Sequence, residues 1–486
     1  MSLVRSIMSV VTTLKYRQFV KACKNPKIAQ KKAWDYTFLN LSDKSSVKRN
    51  LKENEITEIS DYTTMFNAKN SNHFNPLTDE KILFWAQSAG TTGDQKIFPL
   101  SRSYQKQFQT SLPPFLYGFI KKYKNFLKDP SLYLAAIDPN EKAKSGIPIG
   151  FISNYNYHNM PRFIKSIYVL PDKVLKNAKS YSKQGPLYSL AGELNSIFAV
   201  TPLSIQKYME NIIINWTFFL DELEKGKVSI SESRMRHLRA LNPETLTIRE
   251  IWPTLEFVCC WKSSICKNQL KNMKDLLDGI AVHDAIYSAT EGWVNVPSPE
   301  LAFGGPVHPS THVIEFLEVE SEVVKENLID LWELKIGQEY EIFITNNMGL
   351  VRYRLQDIVK CTGFFHKSPI IHFERKASSQ ISLGLVTISE NELVKACIKA
   401  NIKLDENHFF SPNEESDGLI YCYSGEKLPK DQLAKLNESL KTMNTNFKKY
   451  SENGTIKEVS QHRSKKNDSV FHAQTKPKYL YQEFLG

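Results

Sequence analysis

Apolar positions along the chain keep two different periods, and the change of period divides it into three stretches. Val4, Met8, Val11 and Leu14 recur at helical spacing and predict an amphipathic N-terminal helix. Ile205, Tyr208, Ile212, Trp216, Phe219 and Leu220 repeat that period until Gly226 stops it, which predicts a helix over 205–225. Residues 255–260 read as a buried strand, 270–277 as part of a helix ending at Gly279, and 282–287 as a strand running into a turn. Strands alternating with helices imply layered α/β structure. After about residue 310 the pattern shortens to β-branched and aromatic strands at 313–319, 339–345, 350–355 and 370–373, as expected of a β-rich sheet or barrel. From about 376 a helix at 390–402, a strand at 418–423, a helix at 430–444 and strands near 454–460 and 469–473 suffice for a small α+β unit. The predicted fold class is therefore α/β. A large domain over 1–375 combines layered α/β structure with a β-rich subdomain, and a small α+β domain occupies 376–486.

Composition narrows the class. Of 486 residues, 41% are hydrophobic and 24% charged, which suits a packed soluble protein rather than a disordered one. No apolar run approaches the roughly 20 residues of a membrane helix. The N-terminal segment has no small-residue cleavage site, so no signal peptide is expected. Seven scattered cysteines without a Cys-x-x-Cys pair argue against a disulfide framework or a structural zinc, and for a reducing, cytoplasmic location. The formal charge of +11 is concentrated early, with 12 Lys or Arg against 5 Asp or Glu in residues 1–60. A solvated helical face accounts for that excess, and no nucleic-acid module accompanies it.

Three segments carry chemistry. In the first, Ser88, Gly90, Thr91, Thr92, Gly93 and Lys96 sit within nine residues. Glycines let backbone N–H groups approach an anion, hydroxyls add donors and the lysine adds charge, a set suited to a polyphosphate. A polar turn would have the same composition, and the spacing is not that of a Walker A loop. In the second, Tyr287, Ser288, Ala289, Thr290 and Glu291 bring an aromatic, hydroxyls and a carboxylate to the end of a strand. The aromatic can stack on a base and the carboxylate can hold Mg²⁺, although each residue alone also reads as an ordinary strand end. In the third, alternation puts Arg352, Arg354 and Gln356 on one strand face and Asp357 at the strand's exit. There a carboxylate could accept two hydrogen bonds from a ribose diol, or pair with an arginine on a sheet rim. His308 and His312 lie four apart, but Pro309 breaks helical geometry, so they are expected to be surface or structural histidines rather than a metal pair.

The order and spacing of these segments resemble those of adenylate-forming enzymes of the luciferase-like superfamily. More closely, the chain resembles the acyl-acid amido synthetases of the auxin-responsive Gretchen Hagen family. The stretches that carry the likeness are Ile251-Trp252-Pro253-Thr254-Leu255, Cys260-Trp261-Lys262, Ser288-Ala289-Thr290-Glu291-Gly292-Trp293, Gly349-Leu350-Val351-Arg352-Tyr353-Arg354-Leu355 and Thr362-Gly363-Phe364, with weaker echoes from Pro76-Leu77-Thr78 onward. The resemblance implies an adenylate-forming fold whose small mobile C-terminal domain closes over the active site. It implies that Ser88, Gly90, Thr91, Thr92, Gly93 and Lys96 hold the phosphates of ATP. Tyr287 would pack against adenine beside Ser288 and Ala289, Thr290 would contact the α-phosphate, Glu291 would ligate Mg²⁺, and Asp357 would bind the ribose. Arg375 and Lys376 would mark the hinge, with Arg375 near the nucleotide. Lys476, in Gln474-Thr475-Lys476-Pro477, would reach the α-phosphate, with Lys478 as competitor.

The chain departs from the family pattern in four places. The phosphate loop is shorter than in plant-type members, Gln356 replaces the glycine usual before the ribose Asp, and the glycine that commonly follows Trp261 is missing from a region lining the acyl pocket in relatives. Lys476-Pro477 is also one residue tighter than the usual Lys-x-Pro. The expected reaction is adenylation of a carboxylic acid followed by transfer to the amine of an amino acid. An acyl-CoA ligase and a non-catalytic nucleotide-binding protein stay open as alternatives.

Overall fold

The computed structural model describes residues 2–463 apart from 42–54, 68–71, 88–95, 135–140, 161, 176–177, 264, 378–379, 384–385, 405–407, 414–416, 424–425, 453 and 455. These residues form two compact units, the first ending at Glu374 and the second beginning at Arg375.

Three sheets build the first unit. One is a parallel layer of β3 (Ser131–Leu134), β6 (Ser196–Ala199), β7 (Phe257–Cys260) and β8 (Ala281–Asp284) in that spatial order. Strands β3, β6 and β7 are largely buried on both faces, as a parallel layer flanked by helices requires, whereas edge strand β8 exposes Ala281. A second sheet, in the order β2-β1-β5-β4, comprises β1 (Phe84–Gln87), β2 (Ile97–Leu100), β4 (Glu141–Lys142) and β5 (Pro148–Gly150). The third is six-stranded, in the order β11-β16-β15-β14-β12-β13. It contains β11 (Gly305–Pro306), β12 (Val313–Glu318), β13 (Leu328–Asp330), β14 (Glu339–Thr345), β15 (Tyr353–Phe365) and β16 (Ser368–Lys376). A short hairpin of β9 (Ser288–Ala289) and β10 (Gly292–Trp293) stands beside it. The β-rich stretch thus forms an open sheet.

The second unit pairs a hairpin of β17 (Gln380–Leu383) and β18 (Val386–Ser389) with a sheet of β19 (His408–Pro412), β20 (Gly418–Tyr423) and β21 (Lys457–Arg463). Helices Glu390–Lys399 and Lys430–Met443 cover a core that includes Leu393, Phe410, Leu436 and Leu440. The strand expected near 469–473 lies outside the described residues.

Several expectations needed correction. Helix α1 (Ser2–Lys24) forms, but it packs through Met8, Thr12, Phe19 and Cys23, while Val11 and Leu14 are 44% and 54% exposed. Its orientation is fixed by Arg5, whose guanidinium donates to the carbonyls of Ile120, Tyr123 and Phe126 at the C-terminal end of helix Leu112–Lys122, where unpaired carbonyls favour a cation. The helix over 205–225 is two helices, Pro202–Ile214 and Trp216–Glu224. They break at Asn215, whose side-chain amide turns back to the Asn211 carbonyl at 3.0 Å. Strand 350–355 instead begins at Tyr353, and Asp357 lies inside it rather than at its exit. The alternation that would align Arg352, Arg354 and Gln356 fails because Arg352 (φ 39°) precedes the strand and Gln356 (φ 57°) sits in a bulge. Opposite that bulge Glu341 pairs with Ile358 but Phe343 pairs with Arg354, so three residues of β15 face Ile342 alone. Arg352 and Arg354 bind Glu315 and Glu341 respectively, the arginine–carboxylate pairing weighed for this segment, though with neither arginine on Asp357. All seven cysteines are free and buried, in line with the absence of a disulfide framework.

The turn before β15 depends on Gly349. Its φ is 97°, and a Cβ there would stand 2.5 Å from the Cβ of Leu77. All seven tryptophans precede residue 375, so intrinsic fluorescence follows the first unit alone. In urea titrations read by that signal, Gly349→Ala should lose about 2–4 kcal/mol, from backbone strain plus the clash. Gln356→Gly should gain up to about 1 kcal/mol, because an L-residue strained at positive φ is replaced by one that adopts it freely. A midpoint for Gln356→Gly below that of the wild type would show that the bulge does not strain the glutamine.

Candidate active site

The site is assembled around the two-residue turn Thr290-Glu291, which joins β9 to β10 with Ala289 opposite Gly292 and Ser288 opposite Trp293. Side chains from distant segments clamp its backbone. Tyr104, buried in helix Arg102–Phe108, donates its hydroxyl to the Thr290 carbonyl at 2.8 Å. Asn346 donates its amide to the Glu291 carbonyl at 2.7 Å. Gly292 leaves no room for a side chain, since a Cβ would come within 2.7 Å of both His312 Nε2 and Ile344 Cδ1. The Glu291 side chain is thereby directed into a buried site, where a carboxylate is costly unless it receives hydrogen bonds. The Tyr353 phenol stands near enough for the charge of Glu291 to act on it. Burial first, and then the charge of Glu291, push the Tyr104 and Tyr353 phenols well above their ordinary value, so both hydroxyls keep their protons.

Lys96 reaches the same point. Its ammonium donates to the Tyr353 hydroxyl at 3.4 Å and lies 5.9 Å from the ring centroid. It stands just before β2, which pairs antiparallel with β1 so that Gln87 faces Ile97. The phosphate-loop candidates Ser88, Gly90, Thr91, Thr92 and Gly93 belong to the connection between these strands and lie outside the described residues, as do Lys476 and Lys478.

A second pair forms around Asp357. The Tyr287 hydroxyl donates to Asp357 Oδ2 at 2.5 Å, and its ring centroid is 6.1 Å from that of Phe373 on β16. Tyr287 is positioned from behind, because its N–H donates to Asn295 Oδ1 at 2.8 Å and Asn295 donates to the Ile371 carbonyl at 3.0 Å. The indole of Trp261 donates to the neighbouring Ile286 carbonyl at 2.9 Å. Lys262, next to it, donates its N–H to Asp284 and its ammonium to the carbonyls of Val282 and Ala302. This segment therefore ties the end of β7 to β8 and to the connection that carries Tyr287. Residues expected to meet base and ribose form one hydrogen-bonded pair, while Ser288 and Ala289 are half-buried in β9. Arg375 is the next-to-last residue of β16 and the first of the second unit.

Sequence reasoning did not single out Tyr104, Asn346 or Tyr353. Tyr353 lay inside a quoted stretch but was passed over for its arginine neighbours. Asn346 accepts the N–H of Met348 at 2.9 Å in an Asx turn that the run Asn346-Asn347-Met348-Gly349 hints at. Tyr104 had no local signal. Among the described residues no group of three or more His, Cys, Asp or Glu side chains could hold a metal by themselves. A lone carboxylate nonetheless fits Mg²⁺, which keeps waters and takes phosphate oxygens as its remaining ligands.

With this geometry in place, comparison with known proteins is informative. Residues 15–282 match the GH3 family N-terminal domain, and 305–376 match the GH3 family central domain. The chain belongs to the GH3 family. The Glu291 turn falls between the two matched segments, whereas Asp357 and Arg375 fall within the second. The family's relatives include the indole-3-acetic acid-amido synthetase GH3.10 of Arabidopsis thaliana, 23% identical over 382 residues that cover 67% of this chain and 63% of that protein. They also include the probable indole-3-acetic acid-amido synthetase GH3.9 of Oryza sativa subsp. japonica, 30% identical over 164 residues that cover 32% of this chain and 36% of that protein. The matches thus span less than two thirds of these relatives' lengths. Among solved structures, an AtGH3.15 acyl acid amido synthetase in complex with 2,4-DB superposes with a TM-score of 0.76 at 17% identity, covering 97% of this chain and 94% of that one. That likeness shows the fold, which is the expected adenylate-forming one.

His308 and His312 are structural rather than surface residues. Both are buried, and burial holds each imidazole down to about 3. His283, hydrogen-bonded to the Tyr123 hydroxyl at 2.5 Å, is lowered to about 4 by burial and by Lys122 and Lys262. A histidine depressed in the folded state binds its proton more readily in the unfolded chain, so its neutral form supports the fold above about pH 6.5. That support is lost as pH falls from there toward the folded values. The fluorescence-detected urea midpoint should therefore drop between pH 7 and pH 4. His312→Leu, which removes ring nitrogens that have no hydrogen-bond partner among the described residues, should flatten the drop. An unchanged pH slope in that variant would contradict this origin.

Proposed function

We propose that this chain is an ATP- and Mg²⁺-dependent acyl-acid amido synthetase, a ligase that joins a small-molecule carboxylic acid to the amine of an amino acid. A carboxylate oxygen is a poor leaving group, and transfer of AMP onto it makes it a good one. In the first step that oxygen attacks the α-phosphorus of ATP, and the bond to the β-phosphate breaks to release pyrophosphate. In the second the amine nitrogen attacks the acyl carbon and loses a proton, and AMP departs with the former carboxylate oxygen.

The observation that carries this reading is the placement of Lys96 and the buried Glu291 about Tyr353, whose hydroxyl accepts from the lysine and whose phenol the glutamate's charge raises, together with the Tyr287–Asp357 hydrogen bond. Membership of the GH3 family and the printed names of its relatives support it. Lys96, Ser88, Gly90, Thr91, Thr92 and Gly93 would hold the phosphates, and Thr290 the α-phosphate. Asp357 would hold the ribose and Tyr287 the adenine, with Arg375 near the nucleotide. Glu291 would hold Mg²⁺, which supplies charge to offset that developing on the phosphates. Residues 1–375 would form the adenylation domain. Residues 376–486 would close over it and contribute Lys476, because the two half-reactions need different surroundings.

The test is acid-dependent ATP–pyrophosphate exchange across aromatic, indolic and fatty acids, followed by addition of amino acids and then of CoA. Exchange with one acid class and AMP release dependent on an amino acid are expected. Glu291→Ala should cut exchange about 100-fold or more. Release dependent on CoA alone would make the chain a thioester ligase. Binding of ATP without exchange for any acid would reject the enzyme reading.

A further inference from the structure

We propose that the outward face of helix α1 is a docking surface for an anionic lipid bilayer, on which the protein lies without crossing it. This goes beyond the adenylation reading and does not depend on it. The basic excess near the N-terminus, expected of a solvated face, shares that face with a stripe of apolar side chains.

Ile7, Val10, Val11 and Leu14 follow one another at alternating helical spacing, which puts them on a single face of α1. All four are exposed, Val10 to 61%. The same face continues through Arg17 and Lys21, which are also exposed, with exposed Lys15 at its flank. No Asp or Glu occurs anywhere in the 23 residues of the helix. Cations go on into helix Pro26–Asn40, where Lys27, Lys31 and Lys32 are exposed and the only acid, Asp35, is paired with Lys31 at 3.5 Å. The apolar stripe is held outward before any partner arrives. Met8, Phe19 and Cys23 are buried on the inner side, Tyr16 stacks on Tyr117 with ring centroids 4.1 Å apart, and Arg5 binds the carbonyls that end helix Leu112–Lys122. Turning the stripe inward would break all of these contacts. An anionic bilayer is the partner that uses both parts of the face: the apolar side chains enter the boundary between headgroups and acyl chains, and the cations meet the lipid charges. A nucleic acid would engage the cations and leave the stripe in water. A second copy seated on this face would bring cations to a helix that has no carboxylate to receive them. Lys15, Arg17 and Lys21 make α1 too polar to span a bilayer, so it lies in the interface.

The full chain would be sedimented with vesicles of phosphatidylcholine alone and of phosphatidylcholine mixed with phosphatidylserine. Three double variants, all at exposed positions, would accompany it: Val10→Ser with Leu14→Ser, Arg17→Gln with Lys21→Gln, and, as a control away from α1, Lys271→Gln with Lys274→Gln. Tryptophan fluorescence in urea would confirm that each keeps the wild-type fold, and light scattering would give its oligomeric state. The wild type should bind the mixed vesicles and release them as salt is raised, with affinity about 10-fold or more weaker for phosphatidylcholine alone. Removing the two cations of α1 should weaken binding to the mixed vesicles about 10-fold or more, and removing the two apolar side chains should do the same without any change of charge. The control should stay within about two-fold of wild type, since its cations do not face the lipid. No binding by the wild type overturns the proposal, and so does an equal loss in the control, which would reduce the effect to general basicity. Unchanged binding in Val10→Ser with Leu14→Ser would leave only an attraction between polyions and overturns it too. A wild-type dimer that this variant dissociates would assign the face to a second copy instead. Acid-dependent pyrophosphate exchange without vesicles should be the same in all four proteins, so the adenylation reading stands or falls separately.

Discussion

A carboxylate withdrawn from water must be given donors, and this constraint organises the centre of the first unit. Glu291 and Asp357 are both buried, the Tyr287 hydroxyl donates to Asp357, and Glu291 lies near the core phenols of Tyr104 and Tyr353, which its charge raises. Phenols suit the task because burial and neighbouring negative charge raise them, so each remains a donor wherever the carboxylate is ionised. Tyr287 and Tyr353 belong to different segments, Tyr287 to the connection between β8 and the hairpin, where the strand expected over 282–287 has already ended at Asp284, and Tyr353 to the start of β15. The Tyr287–Asp357 bond and the Asn346 bond to the Glu291 carbonyl together fix the hairpin against the six-stranded sheet.

Backbone detail follows from that requirement. The bulge at Gln356 inserts residues into β15 opposite Ile342, which carries Asp357 to where the Tyr287 hydroxyl can reach it while Arg354 still binds Glu341. Gly349 lets the preceding turn press against Leu77, and the Asn75 amide donates to the neighbouring Met348 carbonyl at 2.8 Å. Pro76-Leu77-Thr78, an echo of the family far from the nucleotide motifs, thus acts as the surface on which the motif strand is seated. Gly292 plays the equivalent part on the hairpin, where His312 and Ile344 fill the space a side chain would need.

Family membership and this geometry bear on different questions. The matched domains establish ancestry and fold, whereas the placement of Lys96, Tyr353 and Glu291 bears on what the residues can do to an anion and a cation held together. An enzyme that moves AMP needs both capacities side by side, with charge available to the phosphates and a carboxylate available to the metal.

By itself the sequence determined the broad outline. Period and composition predicted layered α/β structure, a β-rich sheet or barrel and a small α+β unit, and the spacing of the three segments pointed to the family and to Lys96, Glu291 and Asp357. Gln356 was even marked as occupying a glycine's place, and it does hold a positive φ. Tertiary structure alone decided which faces pack and which groups meet. Val11 and Leu14 share the period of Met8, yet Arg5 and the carbonyls it caps turn α1 so that they face outward. Alternation put Arg352, Arg354 and Gln356 on one face, but the bulge broke the register that alternation assumes. Tyr104, Asn346 and Tyr353 were missed because a hydrogen bond between residues as far apart as 257 positions leaves no periodic trace. Local sequence records the preferences of a segment, whereas the donor that a buried carboxylate finds is set by which segments the packed core brings beside it.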